Sequence, residues 1–151
     1  MERSDETWKA GVAALRGQAP EHILFLCVAN SARSQMAEGI ARSLAPAHVR
    51  ISSAGSEPTS VRPQAVEVLR EIDIDISGHR SKGVSEVEPP VDAVVTLCAE
   101  EVCPVWLEDV TRLDWGLLDP AAAEGGEAEV LDAFRAVRDE LERRLRMLFA
   151  G

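Results

Sequence analysis

Residues 22–34 read HILFLCVANSARS. The first seven, HILFLCV, form a short and nearly continuous apolar run, the pattern of a strand buried on both faces. Beyond the stretch, Met36, Ile40 and Leu44 recur every four residues, which predicts a helix over residues 35–44. Between strand and helix lies a C-x5-R-S sequence, Cys27 through Arg33 and Ser34. A turn of this length can wrap its backbone N–H groups around one point, and the helix N-terminus adds partial positive charge there. The segment Val28, Ala29, Asn30, Ser31, Ala32, Arg33 and Ser34 is therefore expected to hold an oxyanion. Arg33 would close the site with its planar guanidinium fork. Cys27, on the floor, sits in a field that favours its thiolate, and Ser34 can donate a hydrogen bond to it. Asn30 suits a left-handed turn position and can tie the loop to its neighbours.

Working outward, strands and helices alternate. A short strand is expected at residues 48–52, and Ala54-Gly55 followed by Pro58 and Pro63 reads as a loop. Ala65, Val68, Leu69 and Ile72 share one face of a helix over 63–72. A second buried strand covers 91–97 and another covers 110–115. Val130, Phe134, Val137, Leu141, Leu145 and Leu148 form a long terminal helical stripe. This order predicts βαβ units and a mostly parallel sheet, with ligands at the carboxyl ends of the strands. Upstream, Trp8, Val12 and Leu15 fall on one helical face that ends at Pro20. The chain is thus expected to divide into a helical extension, 1–20, and an α/β domain, 21–151.

Composition narrows the function. The chain has 151 residues, one domain's worth, and carries 16 Lys+Arg against 26 Asp+Glu, a net charge of −10. A nucleic-acid or anionic-membrane binder would need a basic face, so neither partner is expected. Aromatics make up 4% and Tyr is absent, which argues against base stacking. No apolar run approaches the ~18–20 residues of a membrane helix. The N-terminal segment has acids where a signal peptide would have a basic region and an apolar core, so a cytoplasmic location is expected. In such a reducing compartment Cys27, Cys98 and Cys103 are thiols, metal ligands or redox groups rather than a disulfide frame.

Three further residues fall on the expected ligand edge. Asp119, before Pro120, follows the last strand. It could protonate an oxygen leaving a tetrahedral oxyanion, although an Asp-Pro alone also reads as a turn marker. Cys98 ends the 91–97 strand, and Cys103 follows five residues later. Two cysteines beside a reactive thiol suggest a thiol relay. A metal site built from the three cysteines and His79 is disfavoured because no CxxC spacing is present.

These segments resemble the low-molecular-weight tyrosine-phosphatase superfamily, and within it the thioredoxin-coupled arsenate reductases. The resemblance runs over about residues 22–149, through LFLCVANSARSQMAEG, SSAGSEP, IDISGHRSK, VVTLCAEEVCPVW, DWGLLDP and FRAVRDEL. It implies a four-stranded parallel sheet flanked by helices and reduction of arsenate to arsenite, with phosphate or sulfate as competing oxyanions. It further implies that Cys27 bonds arsenic, Arg33 and the loop amides hold the oxyanion, and Asp119 is the general acid. Cys98 would attack Cys27, Cys103 would attack Cys98, and thioredoxin would reduce the final disulfide. The protein's own thiols supply both electrons, so no metal, flavin or other cofactor is expected.

The chain departs from the family pattern in places. Val28-Ala29 stands where a residue plus Gly is common, Ala32 stands where a Cys is frequent, and the Cys98–Cys103 interval is short. Lys82 occupies a position where some members carry an Asp that helps bind a monovalent cation. Its ammonium is expected near Asn30, Glu38 and Ser53, supporting the loop in place of that ion. Two other functions compete. A protein tyrosine or phosphoester phosphatase would use Cys27, Arg33 and Asp119 alike, yet Ala121-Ala122-Ala123 follows Asp-Pro where such enzymes often carry aromatics. A non-catalytic oxyanion or redox sensor, with 1–20 as a docking arm, is the third.

Overall fold

The computed structural model describes residues 2–98 and 110–150. Helix α1 (Glu2–Gln18) leads into strand β1 (His22–Cys27), helix α2 (Arg33–Leu44), strand β2 (Arg50–Gly55) and helix α3 (Pro63–Arg70). Strands β3 (Ala93–Cys98) and β4 (Thr111–Leu117) follow, and helix α4 (Glu127–Leu148) closes the fold. The four strands pair in the order β2-β1-β3-β4, every pair parallel. β1 is therefore central, as its unbroken burial requires. The chain leaves β1 toward β2 on one side and returns to β3 on the other. Cys27 thus sits at the point where strand order reverses, the place where open α/β sheets form a ligand crevice.

Alternating β1 residues serve two cores. Ile23, Phe25 and Cys27 join the cluster shared by all four helices, with Met36, Val68, Leu69, Phe134 and Leu145. Leu24 and Leu26 face Val87, Val91, Val94 and Ala54 on the other side. Phe25 and Phe134 are wholly buried, and burying such a side chain contributes about 1.5–3 kcal/mol.

β2 differs from the sequence expectation. It begins at Arg50 and runs through Gly55, so Ala54-Gly55 is strand rather than loop. The polar Ser53 before Ala54-Gly55 obscured its second half. Both β2 hydroxyls are satisfied inside the fold, Ser52 by His22 Nε2 at 2.8 Å and Ser53 by Asn30 and Glu38. α3 stops at Arg70 rather than residue 72, because Ile74 N–H turns back to the Leu69 carbonyl and Asp73 takes a positive φ of 65°.

α1 is anchored by its expected face. Trp8, Val12 and Leu15 are buried in the shared core, and Leu113 of β4 lies against Gly11. Arg144 of α4 stacks between the rings of Trp8 and Trp115, 5.0 and 5.5 Å from their centroids. Arg16 donates to the Ala150 carbonyl at 2.7 Å. Among the described residues, no helix is long and apolar enough to cross a membrane.

Candidate active site

Cys27 ends β1 with 2% of its surface exposed, and α2 starts at Arg33. The loop between them is shaped by where its carbonyls go. Those of Val28, Ala29 and Ser31 accept from the N–H groups of Glu57, Thr59 and Arg62 at 2.9, 3.1 and 2.9 Å. The Asn30 carbonyl accepts from Ser81 Oγ at 2.7 Å and Gln35 Nε2 at 3.3 Å. Four consecutive carbonyls are thus bonded outward. In a trans peptide the next N–H points the opposite way, and the one cis bond among the described residues is Pro89–Pro90. The amides of residues 29–32 therefore turn into the loop. No side chain caps α2, whose N-cap is Ala32, so its first N–H groups also face this space.

Gly55 permits the arrangement. A Cβ there would lie 2.3 Å from the Val28 carbonyl oxygen and 2.9 Å from both Asn30 N and Cys27 O. The β2 backbone and the loop are in direct contact.

Asn30 is the hub. Its φ of 50° is left-handed, a conformation that Asn tolerates better than most residues. Its Nδ2 donates to Ser34 Oγ at 2.6 Å and Ser53 Oγ at 3.0 Å. Its Oδ1 accepts from Gln35 Nε2 at 3.0 Å and the Lys82 backbone N–H at 2.8 Å. Because Asn30 donates to Ser34 Oγ, the Ser34 hydrogen is available to Cys27 Sγ, 2.8 Å away. Ser53 Oγ donates to the buried Glu38 carboxylate, which also pairs with Arg42 at 2.8 Å. The Lys82 ammonium stands 3.6 Å from Glu38 and donates to the Arg80 carbonyl at 3.1 Å. Lys82 thus reaches Glu38 with its charge but Asn30 through its backbone, a division the sequence does not display.

Arg33 is 4% exposed, and its Nη1 donates to the carbonyls of Leu97 and Leu117 at 3.2 and 2.8 Å. The guanidinium therefore joins the ends of β3 and β4 beside the loop. A cavity of about 190 Å3 is lined by Cys27, Val28, Ala29, Ser31, Ala32, Arg33 and Asp119. Asp119 is solvent-exposed, and its Oδ1 accepts the Ala121 N–H at 3.0 Å. That turn follows β4 and leaves Asp119 on the wall of the cavity that Cys27 also lines. Among the described residues, no aromatic side chain lines this cavity. Cys98 ends β3, half-buried and opposite Leu117. It is disulfide-bonded, whereas Cys27 is a free thiol. Cys103 lies outside the described residues.

Two contributors escaped the sequence reading: the backbone of residues 57–62, which holds the loop carbonyls, and the Gln35–His79 pair. His79, weighed as a metal ligand, instead puts Nδ1 3.0 Å from Gln35 Oε1. Burial is the main cause lowering its pKa from the ordinary 6.5. Among the described residues no group of three or more His, Cys, Asp or Glu side chains is placed to hold a metal ion.

The family model for low molecular weight phosphotyrosine protein phosphatase matches residues 22–151. The arsenate reductase of Halalkalibacterium halodurans is 44% identical over 127 residues, covering 82% of this chain and 91% of that protein. The crystal structure of an arsenate reductase from Archaeoglobus fulgidus superposes with a TM-score of 0.72 at 30% identity, over 85% of this chain and 99% of that one. A thioredoxin-dependent arsenate reductase of Corynebacterium glutamicum aligns with a TM-score of 0.57 at 27% identity, over 93% of this chain and 71% of that one. With its cysteine loop at the strand-order reversal and a match from β1 to the last residue, the chain belongs to the low molecular weight phosphotyrosine protein phosphatase family.

Proposed function

We propose that the protein reduces arsenate to arsenite by a three-cysteine relay. Cys27 attacks arsenic and forms an S–As bond, while Asp119 protonates the departing oxygen, which leaves as water. Arg33 and the amides of the loop hold the remaining oxygens, where charge develops. Cys98 then attacks Cys27 Sγ. The new S–S bond leaves the As–S electron pair on arsenic, which departs as arsenite, As(III). Cys103 attacks Cys98 in turn, freeing the Cys27 thiolate, and a thioredoxin dithiol reduces the last disulfide. Lys82, Glu38, Ser53 and Asn30 support the loop. A cytoplasmic setting, where thioredoxin keeps thiols reduced, suits this cycle.

The observation that carries the reading is a disulfide-bonded Cys98 at the same sheet edge as a free Cys27. A phosphatase has no use for that second sulfur. The naming of the Halalkalibacterium and Archaeoglobus relatives as arsenate reductases supports the reaction, and the Corynebacterium protein supports the reductant. Phosphoester hydrolysis is the second reading, favoured by the family description and by the shared trio Cys27, Arg33 and Asp119. A cavity of about 190 Å3, lined among the described residues by small side chains beside Arg33 and Asp119, suits an inorganic oxyanion better than a phosphotyrosine ring. Arsenate-dependent NADPH consumption with thioredoxin and its reductase, measured beside a phosphoester assay on one preparation, tests the proposal. Turnover of arsenate is expected, and hydrolysis without it would select the phosphatase.

A further inference from the structure

We infer that His79 is a positioning residue for the Cys27 loop, acting through the side-chain amide of Gln35. The inference deepens the proposed function, because it concerns how the same loop is kept ready for an oxyanion. Gln35 is wholly buried on the first turn of α2. Its Nε2 faces three oxygens: Asn30 Oδ1 at 3.0 Å, Asn30 O at 3.3 Å and Arg80 O at 2.9 Å. Its Oε1 faces His79 Nδ1 at 3.0 Å. If the amide flipped, a carbonyl oxygen would confront those three acceptors. The orientation is therefore fixed by the surroundings, and Oε1 must receive a hydrogen.

The donor is His79. A neutral imidazole carries one N–H, so this contact selects the tautomer with the proton on Nδ1. Burial lowers the His79 pKa, so the ring is neutral at neutral pH. The charged groups around it are Glu38, Arg42, Lys82 and Asp75. Protonation of Nε2 in acid leaves the Nδ1–H bond in place. Only the Nε2–H tautomer breaks it.

The consequence reaches the oxyanion site in two bonds. Gln35 holds both the carbonyl and the side-chain oxygen of Asn30, the residue with the left-handed φ. Fixing the Asn30 carbonyl outward aims the N–H of Ser31 inward. Asn30 Nδ2 in turn sets Ser34, which contacts Cys27 Sγ. With no donor at position 79, Gln35 Oε1 is left unsatisfied in a buried place. The amide then gains by turning away from Asn30.

Two measurements on the full chain decide the matter. Two-bond 1H–15N correlation spectra of the 15N-histidine-labelled protein report the tautomer directly, without turnover. The proton of His79 is expected on Nδ1, and an Nε2–H ring would overturn the inference. Calorimetric phosphate binding is then compared in His79→Asn and His79→Leu. The Asn amide places an N–H where Nδ1 was, so affinity and kcat are expected within about twofold of the parent. The Leu variant keeps bulk without a donor, so phosphate affinity and kcat are expected to fall about tenfold at similar helix content. Equal losses in both variants, or none in the Leu variant, would overturn the inference. Should the Leu variant not fold, the tautomer and the Asn variant still decide. Absence of arsenate turnover in the parent would fail the proposed reaction while leaving the tautomer and phosphate readouts intact.

Discussion

Replacing Gly55 by Ala adds one methyl where β2 meets the oxyanion loop. The new carbon would stand 2.3 Å from the Val28 carbonyl oxygen. Ordinary close C···O contacts are about 3.3 Å, so the shortfall is about 1 Å. All three atoms it would meet, Val28 O, Asn30 N and Cys27 O, are backbone. No side chain can rotate away, and the loop itself must shift. Overpacking of this kind costs about 1–3 kcal/mol, and a domain of this length loses about 2–4 °C in Tm per kcal/mol. A displacement of about 1 Å at a reacting centre can cost about 100-fold in rate. Gly55→Ala is thus expected to melt a few degrees lower and to lose about two orders of magnitude in single-turnover arsenate reduction. Phosphate affinity should fall in step. Thermal melts, rapid-quench turnover and calorimetry read the three quantities. A variant within about threefold of the parent in rate, with unchanged phosphate affinity, would refute the claim that β2 and the outward carbonyls define the cradle.

Asp119→Asn should slow the first chemical step by about 100-fold or more while leaving phosphate binding near the parent value, since a general acid contributes about 10²–10⁴; a loss under about threefold would make Asp119 a turn residue only. Arg33→Lys should weaken both binding and rate, because an ammonium cannot span the carbonyls of Leu97 and Leu117 and also present a planar fork; normal phosphate affinity would remove Arg33 from the site. Arsenate turnover by the unmodified protein should be indifferent to potassium versus sodium at constant ionic strength, whereas Lys82→Asp places a second acid beside buried Glu38 and should make thermal stability rise with potassium; strong potassium activation of the parent would contradict the role given to Lys82. Burial lowers the folded-state pKa of His22 and His79 from 6.5, so the unfolded chain binds more protons below that value and stability must fall as pH falls. Tm is expected to drop from about pH 7.5 to about pH 5, and a flat or rising Tm would contradict that sign.

The reach of the sequence can be traced residue by residue. β1, the Cys27–Arg33 spacing and α2 were legible because each is local: an apolar run, a fixed interval and a four-residue period. The left-handed Asn30 was legible for the same reason, since its conformation follows from its own side chain. β2 was cut short because Ser53 looks solvated, and its partners Asn30 and Glu38 lie 23 and 15 residues away. The 57–62 backbone and the Gln35–His79 contact were invisible, since a backbone donor has no sequence signature and the latter pair is 44 residues apart. Lys82 was placed near the right neighbours. Which of them meet its ammonium and which its backbone depends on the path of the chain past Gly55, where Gly55 N–H bonds the Lys82 carbonyl at 2.9 Å.

The relay is tested most directly by trapping its middle step. In Cys103→Ser, one equivalent of arsenate should yield one equivalent of arsenite and stop. Peptide mapping by mass spectrometry should then find Cys27 and Cys98 joined, with two hydrogens lost from the chain. Arsenite formed without a Cys27–Cys98 disulfide, or continued thioredoxin-driven turnover at the parent rate, would contradict the account.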